Sequence, residues 1–158
     1  MKNARVALAG LCVSGCIGLI ASFEGFSNSA YIPVKADVAT IGYGQTYYLD
    51  GRRVKLGDFI SKEKAEFELS GLVKRDFFDK IAQCIKVPLK QNELDAYLSL
   101  SYNIGTKAFC NSTLLKKLNK GDYNGACSEI LRWNRAGGRV LRGLQLRRFK
   151  EYEICLKG

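Results

Sequence analysis

Apolar and polar positions fall into three regimes along the chain. The first is Val6 to Phe23, eighteen residues without a charge, preceded by Lys2 and Arg5. This run nears the roughly 20 residues that a membrane span needs. Its apolar character is weak, because Gly10, Ser14, Gly15, Gly18 and Ser22 interrupt it. Basic residues followed by an apolar stretch also describe a secretory leader. No small-x-small cleavage site is cleanly placed, and a cut near Ala21 would leave Glu24 almost at the new terminus. Three readings stay open: a cleaved leader, an uncleaved weak anchor, and the first helix of the domain. The anchor is preferred. It is compatible with the third reading, since a marginal span that leaves the bilayer can pack as a helix. The chain then divides into a leader over 1–22 and a domain over 23–158.

The second regime, Ala30 to Lys55, has strand and turn character. Thr40-Ile41-Gly42-Tyr43-Gly44 joins β-branched and aromatic residues to glycines. Tyr47-Tyr48-Leu49 and Arg52-Arg53-Val54 flank Asp50-Gly51, a two-residue hairpin signal. A small antiparallel sheet is expected. In the third regime the apolar period becomes helical. Ser61 can cap a helix in which Leu69, Leu72, Val73, Phe77 and Ile81 recur. Gln91 to Ile104 is apolar almost all round, as a buried central helix requires, and Gly105 suits its C-terminal end. Ser112 and Asp122 can cap two more helices, the first ending near Leu118 and the second near Trp133, before Gly137-Gly138. A last helix spans about 143–156. The fold class is α+β, a small antiparallel β lobe joined to a larger helical lobe.

Composition narrows the chemistry. A chain of 158 residues, 47% hydrophobic, can bury one core. It has no histidine, which excludes His-based nucleophilic catalysis and His-ligated metal. The cysteine spacings match no zinc pattern, so no cofactor or metal is expected. The net charge of +10 points to an anionic partner: nucleic acid, an anionic membrane face or cell-wall polymer. Nucleic acid is disfavoured, because the arginines sit in no recognition motif. Arg139, Arg142, Arg147, Arg148 and Lys150 read as a solvated face of the C-terminal quarter. They share the last helix with Leu144, Phe149, Tyr152 and Ile154, which also allows a membrane-active role. Six cysteines, at 12, 16, 84, 110, 127 and 155, suggest structural disulfides in an oxidising compartment.

Glu24 stands where the uncharged run ends. A carboxyl there can serve as general acid, or it can be an ordinary charge closing an apolar segment.

The order and spacing of several motifs resemble the phage-type lysozymes, the endolysins of glycoside hydrolase family 24. They include Phe23-Glu24-Gly25-Phe26, Ala30-Tyr31 and Thr40-Ile41-Gly42-Tyr43-Gly44-Gln45-Thr46. Val87-Pro88-Leu89 and Tyr102-Asn103-Ile104-Gly105 follow. Ser112-Thr113-Leu114-Leu115, Arg132-Trp133 and Gly143-Leu144 with Arg147-Arg148 complete the series. The resemblance implies a lysozyme-like fold, in some relatives preceded by a signal-anchor. It implies hydrolysis of the β-1,4 bond between N-acetylmuramic acid and N-acetylglucosamine in peptidoglycan, by an exported monomer acting in the periplasm. Glu24 would protonate the leaving oxygen, a second carboxylate would stabilise the anomeric cation, and Thr40 would hold water. Inverting glycosidases keep the two catalytic groups roughly 6.5–9.5 Å apart.

One departure matters. The family places Asp, sometimes Cys, nine residues after its Glu and Thr six later; here those places hold Pro33 and, one residue late, Thr40. Asp37 is the one carboxylate between Glu24 and Asp50. It either takes the second role or is a turn residue. The gap keeps a lytic transglycosylase open, along with a non-enzymatic wall- or membrane-binding protein. Asn134-Arg135-Ala136 resembles an arginine segment of some relatives, so Arg135 can reach toward Glu24; a solvated arginine is the preferred reading. Relatives also carry Cys127 and Cys155, and Cys84 and Cys110 flank the buried helix. The preferred pairing is 84–110 with 127–155. Cys12 and Cys16 remain, as small apolar residues or as a redox control.

Overall fold

The computed structural model describes residues 4–34 and 38–157. Helix α1 (Ser14–Glu24) opens the fold. Its two internal glycines make it a poor helix by propensity, so packing must hold it. Cys16 and Ile20, four apart on one face, are fully buried, and they lie against α4 (Gln91–Ile104). Gly15 allows that approach: a Cβ there would come within 2.4 Å of the Asp95 carboxylate on α4.

The residues before α1 are also attached to the helical lobe. Val6 and Leu89 exchange backbone hydrogen bonds of 2.7 and 3.0 Å. Arg5 pairs with Glu93 at 2.7 Å and lies 3.5 Å from the Tyr123 ring centre. Among the described residues no helix is long and apolar enough to cross a membrane.

The β lobe follows. Strands β1 (Ser27–Tyr31) and β2 (Thr40–Gly42) are antiparallel, pairing Ser27 with Gly42 and Tyr31 with Thr40. Ile41 and Gln45 then close a tight turn with reciprocal backbone bonds. Gly42 (φ 62°) and Gly44 (φ 90°) take the left-handed conformations it needs. The expected hairpin forms around Asp50-Gly51, where Tyr47 pairs with Arg53 and the Val54 amide donates to the Thr46 carbonyl.

Ser61 caps α2 (Lys62–Leu72) by accepting from the Lys64 amide. The helix continues through a π-helical stretch, Val73–Phe78, into α3 (Asp79–Ile81). The wider turns fall where Phe77 meets the cleft and Val73 and Phe78 turn to the core. Helix α4 is buried almost all round, with Leu94, Tyr97, Leu98 and Leu100 fully enclosed, and it ends at Gly105 (φ 90°).

Of the shorter helices α5 (Thr106–Cys110), α6 (Thr113–Asn119) and α7 (Tyr123–Glu129), the first packs on α4, and the other two pack on each other with α7 also against α8 (Arg142–Leu156). Ser112 and Asp122 cap α6 and α7. Gly137-Gly138 forms the tip of a short hairpin, β3 (Arg135–Ala136) with β4 (Arg139–Val140), instead of a plain break. Helix α8 (Arg142–Leu156) returns across α4.

Cys84 bonds Cys110, and Cys127 bonds Cys155. Each closes a loop of nearly thirty residues, worth about 3–4 kcal/mol in the chain-entropy picture. Cys12 is free and exposed, and the Ser14 hydroxyl holds its thiol below the ordinary range. Cys16 is free and buried, and burial pushes its thiol up to about 12.

Candidate active site

Glu24 is the last residue of α1, with its side chain 24% exposed. Gly25 ends the helix with a positive φ, so the carboxyl faces the space between the lobes. Two cavities share it as a wall. The larger, about 390 Å³, is lined by Gly44, Gln45, Thr46, Tyr47, Leu72, Asp76, Phe77, Tyr102 and Asn103. The other, about 380 Å³, is lined by Gly25, Phe26, Ser27, Tyr31 and Gly42. A polymer cut in its interior needs room on both sides of the reacting bond, and Glu24 stands between two such spaces.

The charge facing Glu24 comes from α8. Arg147 Nη1 donates to its Oε1 at 2.7 Å. The rest of that guanidinium is also engaged: Nε meets Glu151 Oε1 at 3.2 Å and Nη2 donates to the Ser99 carbonyl at 3.2 Å. The Phe23 ring lies 4.8 Å from the guanidinium carbon.

Arg148 is fully buried beside Arg147. It pairs with Glu151 at 2.7 Å and donates to Asn103 Oδ1 at 3.0 Å. Glu151 is fully buried and accepts from the Ser99 hydroxyl at 2.6 Å. Burial pushes the Glu151 carboxyl up, against the pull of Arg148, Ser99 and Arg147. Burial likewise pushes the Arg148 guanidinium down.

This corrects one expectation and agrees with another. Arg147 and Arg148 belong to the interior and not to a solvated face. Arg135 is exposed on β3, as its preferred reading as a solvated arginine has it, and the arginine that reaches Glu24 is Arg147. Pairing explains the difference: a buried guanidinium is tolerable only with carboxylates and carbonyls around it, and these are Glu151 on α8 itself with Glu24 of α1 and Ser99 and Asn103 of α4. A usable signal was present, because Glu151 stands four residues after Arg147 and three after Arg148, on one helix face.

The opposite wall is less charged. Tyr102 donates to the Tyr43 carbonyl at 3.1 Å, and burial pushes its hydroxyl up, so it stays a neutral donor. Gln45 is buried, and neither atom of its amide has a protein partner. Asp76 also lines the larger cavity; the Arg75 guanidinium beside it holds its carboxyl below the ordinary range.

Thr40 opens β2, buried, and its hydroxyl donates to the Val38 carbonyl at 3.3 Å; it lines neither cavity. Asp37 lies outside the described residues. Among the described residues no group of three or more acidic, cysteine or histidine side chains could hold a metal ion.

The sequence profile of the family described as Phage lysozyme matches residues 21–151. An endolysin of Bacillus phage B103 is 42% identical over 143 residues, 90% of this chain. This chain spans about half of that protein, 52% of its length. A SAR-endolysin of Enterobacteria phage P21 is 36% identical over 97% of this chain and 88% of its own. Among solved structures, a mutant of P22 lysozyme superposes with a TM-score of 0.83 at 34% identity, covering 93% of this chain and 99% of that one.

Proposed function

The chain belongs to the phage lysozyme family, and on that premise we propose that it is an endolysin that hydrolyses the β-1,4 bond between N-acetylmuramic acid and N-acetylglucosamine in bacterial peptidoglycan. The observation that carries this reading is the place of Glu24 on a wall shared by two cavities, hydrogen-bonded to Arg147.

Glu24 gives its proton to the glycosidic oxygen as the bond to the anomeric carbon breaks and the electron pair leaves with that oxygen. The sugar is left with oxocarbenium character. Glu24 is then a carboxylate, the form that Arg147 binds best, so the pair stabilises the product of proton transfer. Water attacks the opposite face of the sugar. Asp37 takes its proton and Thr40 orients it, after turning its hydroxyl from the Val38 carbonyl. The reaction calls on no cofactor.

The enzyme works as a monomer in the periplasm of a bacterial host. Before release, residues 6–22 associate with the inner membrane. Support comes from their lack of charge and from the relative named a SAR-endolysin. While α1 is withdrawn, Cys16 and Ile20 leave the core and Glu24 leaves the cleft, so the tethered protein is silent.

Turbidity loss of purified cell walls tests the reading. Wild type should clear them, and Glu24→Gln should lose activity by about a thousandfold or more while staying folded. A Glu24→Gln protein that clears walls normally would overturn it. A second reading, a lytic transglycosylase, is favoured by Pro33 in place of the family's acid. It predicts anhydro-muramic products in place of reducing ends.

A further inference from the structure

The Arg147 guanidinium is planar and engaged on three sides, by Glu24, by Glu151 and by the Ser99 carbonyl. Its position against Glu24 is therefore set by partners that never face the cleft. Glu151 is the central one. It is fully buried, is fixed by the Ser99 hydroxyl and, among the described residues, is the one carboxylate in contact with both Arg147 and Arg148. We propose that Glu151 is a positioning residue for the reaction, holding Arg147 in line with Glu24 and supplying the counter-charge that lets Glu24 alternate between its acid and carboxylate forms. This rests on the reading of Glu24 as general acid.

Charge counting gives the reason. A guanidinium stays protonated throughout the working range, so the cluster holds two fixed positive charges. Glu151 neutralises one and an ionised Glu24 the other. When Glu24 carries its proton the cluster bears a single excess positive charge. Without Glu151 it would bear two, with no buried carboxylate left to balance the second guanidinium.

Other groups around Glu24 do little to compensate. Tyr102 of α4 is a neutral phenol, and Tyr31 stands across the smaller cavity. Tyr47 and Asp76 stand across the larger one, Asp76 already paired with Arg75. Arg148 extends the same cluster to Asn103, a second cleft residue.

The experiment is the pH dependence of kcat and KM on a soluble peptidoglycan fragment, for wild type, Glu24→Gln, Glu151→Gln and the double variant Glu151→Gln/Arg148→Gln. In Glu151→Gln we expect kcat lower by about thirtyfold with KM within about twofold. The alkaline limb, where the acid loses its proton, should move toward lower pH by about one unit. Removing one buried positive charge in the double variant should return that limb toward wild type.

A folded Glu151→Gln enzyme with the wild-type pH profile overturns the proposal, whatever its kcat, because a merely structural role lowers activity without moving the profile. An active Glu24→Gln enzyme instead overturns the acid assignment itself, so the two failures are distinguishable. If Glu151→Gln does not fold, Ser99→Ala decides. It keeps every charge and removes only the hydroxyl bond that orients Glu151. A loss of kcat of about fivefold together with a displaced alkaline limb supports the proposal, and a wild-type pH profile overturns it.

Discussion

The two walls of the cleft are built on different physical terms. On the helical side Glu24 ends α1, which is buried against α4, and it meets Arg147 from α8. Three helices distant in sequence fix one carboxyl through a cluster of buried charges. On the β side the chain between β1 and β2 runs through Ile32, Pro33 and Val34, and Val34 is fully exposed. The comparison teaches that one wall of the cleft holds its carboxyl through tertiary structure while the other carries an exposed apolar residue. Changes of length and side chain are tolerable on the second wall. They would not be on the first, where one moved charge leaves others unpaired in the interior.

If the helical wall owes its position to tertiary structure, loosening that structure should cost stability before chemistry. Replacing Cys127 and Cys155 by alanine should destabilise the fold by about 3 kcal/mol in urea unfolding. The molecules still folded should keep their turnover at 25 °C. A loss of turnover with unchanged stability would mean that α8 is not otherwise held.

The β wall should show the reverse. Asp37→Asn should lower wall clearing about a hundredfold with little change in unfolding midpoint. Asp76→Asn, on the π-helical stretch lining the larger cavity and already paired with Arg75, should cost less than about fivefold. If the two results were exchanged, the second carboxylate would be Asp76. Thr40→Val, removing only the hydroxyl, should lower kcat about tenfold and leave KM in place.

The smallest effect sharpens the helical side. Burial under Gly15 raises the Asp95 carboxyl above its ordinary range. A carboxyl whose folded value is raised adds stability only while protonated. That contribution is complete below the unfolded value, near 3.8, and is lost as pH rises through the folded one. Asp95→Asn should therefore be the more stable protein at pH 7, with the difference closing by about pH 3. Chemical denaturation at the two pH values reads it directly.

Much of the helical lobe was legible in the sequence, because its signals are local. Ser61, Ser112 and Asp122 cap where a short polar side chain can reach an amide two or three residues on. The all-round apolar stretch of α4 could only be a central helix. The π-helical turns at Val73–Phe78 carry no comparable local signal, whereas Gly137-Gly138, read as a plain break, is the two-residue turn of the hairpin at Arg135–Val140.

The site divides in the same way. Glu24 was visible as a charge closing an apolar run. Arg147 reads as a surface group unless Glu151, four residues on, is taken as its partner, and Ser99 and Glu24 from other helices complete the set that makes its burial tolerable. The pairing 127–155 was preferred from the resemblance and 84–110 because those cysteines flank the buried helix, and the fold brings both pairs of sulfurs together.

The central claim is that Glu24 hands a proton to the glycosidic oxygen and water completes the cut. Mass spectrometry of peptidoglycan digested by wild type and by Glu24→Gln tests it most directly. The account predicts muropeptides ending in reducing N-acetylmuramic acid from the wild type and none above background from the variant. The same reducing ends from both proteins, or no new ends from the wild type, would contradict it.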